Sequence, residues 1–357
     1  MKKNLKWWST YGLIEVEERL WRSNSESYIR VLPEKIGVSQ RGCSLALERA
    51  LRDFGLEKSF SQAAVSVKEH YGFEISPSTV ARASVKHATA ITKQQNERPA
   101  VGTLPAKGAE RLVAESDGSF VRIVTTDPEQ EDSRKSRTVD FQEARLCAAT
   151  EQGSDSIYYE ATFQDVNRLG GLWAQCSKEA GWALNSEIHV VGDGAVWVSK
   201  QAETIFGTQG SYLVDFYHVC EYLAAAAASC SQETKSWMNT QKALLKSGQA
   251  HQVIATLEAS LEPEDIADEN APVRKAHRYL SNRKEQLSYD LAIAKELPIG
   301  SGLIESAHKH VIQYRMKLPG AAWSIKNAEA IIQARAFRAN GFWDSYWRKQ
   351  RDMKTAA

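Results

Sequence analysis

Two aspartates and a glutamate stand in this chain where a carboxylate could do more than solvate a surface. Asp117 lies in "AESDGSF", Asp193 in "VVGDGA" and Glu305 in "IGSGLIESAHKH". Glycine follows each aspartate, so no bulky neighbour blocks a partner from the carboxylate. Glu305 sits just past a Gly-Ser-Gly turn, on the first turns of an expected helix. There it complements the helix dipole, with Ser301 or Ser306 available for local backbone hydrogen bonds. Carboxylate oxygens ligate hard cations, and paired carboxylates also serve acid and base chemistry on sugars. Each residue alone has a plainer reading. Asp-Gly is a common turn signal, and a first-turn glutamate stabilises its own helix.

The elements that must position these residues follow from hydrophobic period. "RLVAESDGSFVRIVTT" reads as a strand or strand pair, "EARLCAAT" and "SIYYEATF" as two more. "VNRLGGLWAQCSKEAGW" is helical, "EIHVVGDGA" a buried strand ending in a turn, "VWVSKQAETIF" helical and "SYLVDFYH" another strand. Three strands, helix, strand, helix, strand predict a mixed α/β sheet with helices on both faces. Asp117 falls in the first of these strands and Asp193 at the end of the fourth. The carboxyl ends of strands are where open α/β sheets collect function.

Strand order, "DG" on the first strand, "GDGA" after the fourth, "DFYHVCEYL" after the fifth and the late "GSGLIES" together resemble the RNase H-like core of DDE transposases. More narrowly, they resemble bacterial insertion-sequence transposases related to the Mutator-like and hAT groups. The resemblance covers about residues 105–345. It implies that Asp117, Asp193 and Glu305 are the catalytic acids and the metal ligands. Two Mg²⁺ ions, with Mn²⁺ as a substitute, would activate the nucleophile and stabilise the leaving oxygen of a phosphodiester. Asp215 and His218 match a further family mark, in a positioning or DNA-contacting role. The spacings are 193 − 117 = 76 and 305 − 193 = 112 residues. The second exceeds what one helix and one strand need, and 220–296 is strongly helical, as in transposases with an all-helical insertion. The implied partners are double-stranded DNA, both inverted-repeat ends and target, and further copies of the chain as a homodimer or higher oligomer.

The N-terminal third carries a different signal. Residues 11–32 alternate apolar and polar, which predicts a hairpin with "SNSES" as its turn. Residues 44–95 read as helices. Ser59 or Ser61 can cap one, Gly72 breaks it, and "SPST" starts another with Ser76 as N-cap and Pro77 at the first helical position. That is the outline of a helix-turn-helix, with a plain helical hairpin as the other reading. Four bases against one acid between Ser76 and Arg98, Arg82 and Lys86 among them, suit a helix near phosphates. "NERPAVGTLPAKG" (96–108) reads as a linker. The division is then 1–98 DNA-binding region, 105–219 first part of the core, 220–296 helical insertion, and 297–345 catalytic helix with a basic C-terminal segment.

The net charge of +1 argues for no partner, but it hides unevenness. Lys309 to Arg351 holds nine Lys/Arg against two acids, and Glu258 to Glu269 six acids and no base. Lys309, Arg315 and Lys317 follow Glu305 and are candidate phosphate contacts. Lys309, at i+4, could equally pair with Glu305. Trp323, Trp343 and Trp347 could stack on bases, with core packing the commoner role. Five scattered cysteines without a CxxC pair fit reduced thiols, and no apolar run reaches membrane-spanning length. A cytoplasmic, nucleoid-associated protein is expected. A sequence-specific DNA-binding protein without catalysis, such as a domesticated transposase, is the alternative. A P-loop, nucleophile elbow and Rossmann fingerprint are absent.

Overall fold

The computed structural model describes residues 2–22, 28–39, 41–127, 129–130, 132 and 135–356. In chain order these form β1 (Lys2–Ser9), β2 (Gly12–Arg19), β3 (Trp21–Arg22), β4 (Tyr28–Ile29) and α1 (Val31–Ile36). Next come α2 (Leu45–Glu57), α3 (Phe60–Tyr71), α4 (Pro77–Asn96), β5 (Arg111–Thr125), β6 (Thr138–Glu151) and β7 (Ile157–Thr162). Then follow α5 (Val166–Glu179), β8 (Glu187–Gly192), α6 (Val196–Phe206), β9 (Gly210–Val214) and α7 (Phe216–Cys230). After these come α8 (Thr234–Lys246), α9 (Ala250–Glu258), α10 (Pro272–Ser281), α11 (Tyr289–Ala294) and α12 (Gly302–Ala307). A π-helical stretch His308–Gln313 leads to α13 (Tyr314–Met316), α14 (Ile325–Ala339) and α15 (Trp343–Ala356). The chain divides into two compact units. One gathers residues 1–98, 120–142 and 309–357, the other 99–119 and 143–308.

The first unit opens with a hairpin that differs from the expected one. β2 pairs backwards with β1, from Lys2↔Arg19 to Ser9↔Gly12. Ser9 closes the turn, accepting from the Tyr11 N–H at 3.1 Å. The lysines of "KKNLKWWS" mask its alternation, since Leu5 is its one fully buried apolar residue. Trp21–Arg22 pairs with Tyr28–Ile29, and "SNSES" between them lies outside the described residues.

The helices follow their caps. Ser44, Ser59 and Ser76 accept from the N–H of Leu47, Gln62 and Thr79, and Pro77 opens α4. Gly72, at φ 76°, ends α3 in the left-handed conformation that an L side chain resists. Leu47, Leu51, Ala63, Val67, Val80 and Ala83 form the core shared by α2, α3 and α4. α14 packs along α4. Arg335 of α14 fastens this end, donating to the carbonyls of Val311, Leu56 and His310 and pairing with Glu57 at 3.1 Å. Arg52 is fully buried, with its guanidinium 4.0 Å from the centre of the Trp343 ring and with Tyr346 and Trp347 around it. Trp343 and Trp347 are therefore core residues that hold a buried cation by its attraction to their π faces.

Glu48 of α2 is buried beneath α4. Burial favours its neutral form, but hydrogen bonds from His87 at 3.0 Å and Lys86 at 2.8 Å outweigh that and hold its carboxyl at about 2. Burial keeps the His87 imidazole below its ordinary range, so His87 acts on Glu48 as a neutral donor, while its Nδ1 faces the Tyr346 hydroxyl at 2.8 Å. A carboxyl lowered on folding contributes stability that is full above its unfolded value of 4.5 and is lost as pH falls towards 2. Glu48→Gln should therefore cost about 2 kcal/mol at pH 7 and much less near pH 2. Urea midpoints at the two pH values check this. Equal losses at both would show that the carboxylate charge is not what stabilises the contact.

The second unit is built on a five-stranded mixed sheet of order β7-β6-β5-β8-β9. β5, β8 and β9 run parallel, and β6 and β7 antiparallel. One face packs on α5 and α6 through Leu112, Ala114, Cys147, Ile188, Val190, Trp173 and Phe206. The opposite face receives the returning segment near residues 295–308: His189 bonds the Pro298 carbonyl at 2.8 Å, and the Ile304 N–H reaches Glu115. Residues 216–294 are helices and connections with no strand. Their core is continuous with the sheet, because Leu213 and Val214 of β9 belong to the same cluster as Leu223, Leu257, Leu280 and Tyr289. "SYLVDFYH" is a strand only as far as Val214. Asp215 then caps α7, its Oδ1 accepting the N–H groups of Tyr217 and His218, so "FYH" begins a helix.

Candidate active site

Strand register places the aspartates. β5 and β8 pair Glu115↔Val191, so two residues further along Asp117 comes level with Asp193. β8 and β9 pair Gly192↔Val214, and the ladder runs on through the Asp215 N–H to Gly192 O bond of 2.7 Å. Asp215 is thus level with Asp193. Alternation puts Glu115, Asp117, Asp193 and Asp215 on the face opposite α5 and α6. Asp117, Asp193 and Asp215 therefore lie in one row across three neighbouring parallel strands, Asp117 within β5 and the other two just past the ends of β8 and β9.

Two anchors hold the segment that carries Glu305 against this face of the sheet. Asp215 Oδ2 accepts the Ser301 N–H at 2.6 Å and a short bond from the Ser301 hydroxyl. Glu115 Oε2 accepts the Ile304 N–H at 2.7 Å. α12 thus starts against the sheet, with Ile304 and Ala307 buried and Glu305 exposed. One turn on, the His308 ring is buried with Nε2 3.3 Å from Asp117 Oδ2. The angle is not that of a hydrogen bond, and both ring nitrogens lack a partner among the described residues.

The electrostatics match this crowding. Burial, and then the charges of Asp215 and Glu305, push the Glu115 carboxyl up to about 8 against the opposing Ile304 N–H. At neutral pH it is largely protonated, because a further negative charge is unfavourable here. Asp193 Oδ1 accepts the Ala195 N–H at 2.8 Å. Its carbonyl accepts the Tyr279 hydroxyl at 2.5 Å, and Arg283 donates to the Gly194 carbonyl at 2.7 Å. Gly194 has φ 85°, and a Cβ there would lie 2.5 Å from both Tyr279 and Arg283. The glycine after Asp193 therefore makes room for two side chains of α10 and its following turn.

Residues 2–354 match the family model of UPF0236, described as an uncharacterised protein family. The chain belongs to UPF0236. No curated protein matches it.

In this UPF0236 chain the row of acids is close in backbone but open in side chains. Among the described residues no three His, Cys, Asp or Glu side chains stand near enough together to hold a metal ion. The donor set still suits a hard cation. It consists of carboxylates, partly exposed at Asp117, and the buried imidazole of His308 lies beside it with neither ring nitrogen hydrogen-bonded among the described residues. His218 packs edge-on against Tyr222 and Tyr279 and faces Glu221 at 3.4 Å.

Sequence reading missed Glu115, Tyr279 and Arg283. Glu115 could have been found, because it shares a strand face with Asp117 at a spacing of two. Nothing local marks Tyr279 or Arg283. The other candidates lie in the first unit. Arg82 is exposed on α4, and Lys86, also exposed, pairs with Glu48. Lys309 and Lys317 are exposed, whereas Arg315 is buried, as are Trp323, Trp343 and Trp347. Among the described residues no helix is long and apolar enough to cross a membrane.

Proposed function

We propose that this chain is a transposase that binds transposon-end DNA and cleaves and transfers strands through Asp117, Asp193 and Glu305. The observation that carries this reading is the row: Asp117 and Asp193 are level on adjacent parallel strands, on the face to which the Glu305 helix returns. The sheet order β7-β6-β5-β8-β9, which is 3-2-1-4-5 within the sheet, supports an RNase H-like core, as does the helical segment between Asp215 and Glu305. Asp117, Asp193 and Glu305 would hold Mg²⁺, which when bound supplies charge at the attacking and leaving oxygens of a phosphodiester. The chain's own residues do the positioning. Tyr279 and Arg283 fix the loop of Asp193 and Gly194, Asp215 fixes Ser301, and Glu115 fixes the start of α12. The alternative, a DNA-binding protein without catalysis, is favoured by one observation: among the described residues the three carboxylates do not close into a metal-holding group.

Duplex DNA is the proposed substrate and α4, with α3 before it, the proposed binding element. Arg82 and Lys86 lie one helical turn apart on its exposed face. Each phosphate that the protein no longer neutralises reduces the slope of log affinity against log salt by about 0.9. Arg82→Ala with Lys86→Ala should therefore lower the slope by roughly two and weaken binding at least tenfold. Anisotropy titrations of a labelled duplex across salt concentrations check this. An unchanged slope would remove α4 from the interface. Cleavage of the same duplex with Mg²⁺ present and absent tests the enzyme itself.

A further inference from the structure

Between Ser59 and Asn327 the first unit has a cleft of about 400 Å³ that the transposase reading leaves unused. Its one charged lining residue is Arg315, and no acid lines it. The Arg315 side chain is buried, 2 % exposed. Its guanidinium lies in the corner formed by Phe60, 4.6 Å from the ring centre, and Trp323, 4.5 Å, two rings that meet edge to face. Among the described residues its hydrogen bonding is confined to Nε, which donates to the Gly55 carbonyl at 2.9 Å. Neither terminal nitrogen has a partner there, and no counter-ion stands within ion-pair distance. The acid that acts on its charge, Glu57, is already paired with Arg335 at 3.1 Å. Two buried guanidinium groups thus share one carboxylate, and burial with the neighbouring Arg335 lowers Arg315 to about 10. A buried cation without a counter-ion is costly unless an anion completes it.

Two helix starts open on the same cleft. Ser59 caps α3, of 12 residues, and Ser324 stands at the N-cap position of α14, of 15. The Ser324 hydroxyl makes no capping bond to its own helix. The first helical bond of α14 is Ala328 N–H to Ser324 O at 2.9 Å, so the N–H groups of Ile325, Lys326 and Asn327 precede the ladder. Both helix dipoles place their positive ends at this point.

We propose that this cleft binds one phosphate of a nucleic-acid backbone, held by the terminal nitrogens of Arg315 and by the start of α14. The choice of a nucleic acid rests on the transposase reading. The volume accommodates a phosphodiester and its sugar but not a duplex groove, so one phosphate enters while the rest of the strand stays outside.

The decisive variant is Ser324→Asp in the full-length chain. Aspartate is as good an N-cap as serine, so the fold keeps its stability, yet a negative charge now faces the incoming phosphate. Anisotropy with a labelled duplex should show at least a tenfold rise in Kd, with Tm unchanged or higher. Inorganic phosphate should raise the Tm of the wild type more than chloride at equal ionic strength, and should fail to raise that of Ser324→Asp. Arg315→Lys, which keeps the charge but loses the planar fork, should fall between the two. A Kd for Ser324→Asp within twofold of wild type overturns the proposal. Phosphate protection with unchanged DNA affinity marks a free-anion site and also overturns it. These readouts concern binding, so loss of the catalytic assignment, read in cleavage, leaves them unaffected.

Discussion

Asp193→Asn should abolish Mg²⁺-dependent cleavage and strand transfer, by three orders of magnitude or more, while leaving DNA affinity within a factor of about two. Asparagine keeps the size and one acceptor oxygen, so the bond from the Ala195 N–H survives, as do the Tyr279 bond to the residue's own carbonyl and the turn at Gly194. The substitution removes one negative charge from a row of acids whose proposed task is to hold cations. Binding is expected to survive because the proposed phosphate contacts lie on α4 and around Arg315. A gel shift and a cleavage assay on one labelled end fragment, with circular dichroism as a fold control, give the answer. Wild-type cleavage by the variant would refute the catalytic assignment. Loss of binding together with cleavage, with the fold intact, would refute the separation of roles.

Asp215→Ala is the substitution with the largest expected effect on stability, about 3–5 kcal/mol. Asp215 is 3 % exposed and accepts four donors: the N–H groups of Tyr217 and His218 through Oδ1, and the N–H and hydroxyl of Ser301 through Oδ2. Alanine removes the cap of α7 and the anchor of α12 together and leaves buried donors unpaired. Asp215→Asn retains one acceptor oxygen and should cost about half as much. Urea midpoints of both variants measure the difference. A loss below about 1 kcal/mol for Asp215→Ala would mean that water replaces the carboxylate and that the anchor is not structural.

The alternation of strands and helices was legible because each segment carries its period on its face. The serine caps and Pro77 were legible because capping is local chemistry. Asp117 and Asp193 could be singled out by their glycines, but their shared level could not, since it comes from the pairing of β5 with β8 across a gap of 76 residues. Asp215 was noticed as part of "DFYH", while its bonds to Ser301 depend on where α12 lands. The basic tail misled in a specific way. Arg335 counted towards a DNA-facing charge, yet it is buried with its guanidinium on three carbonyls, and Arg315 is buried too, beside two aromatic rings. A count of charges does not say which side chains point inward. It also gave no sign that α14 packs on α4, so deletion of residues 1–98 would strip a helix of its partner and is a poor test of DNA binding.

The anchors of α12 set an order of events during synthesis. Asp215 and Glu115 are buried, and their partners at Ser301 and Ile304 follow by 86 and 189 residues. At roughly 5–20 residues per second, the ribosome takes about 4–17 s to go from Asp215 to Ser301. Throughout that interval Asp215 Oδ2 and Glu115 Oε2 lack the donors that the start of α12 brings, while Asp215 Oδ1 already caps α7. A chain that stops before Ser301 therefore lacks both anchors of α12 and with them the glutamate of the proposed cutting site.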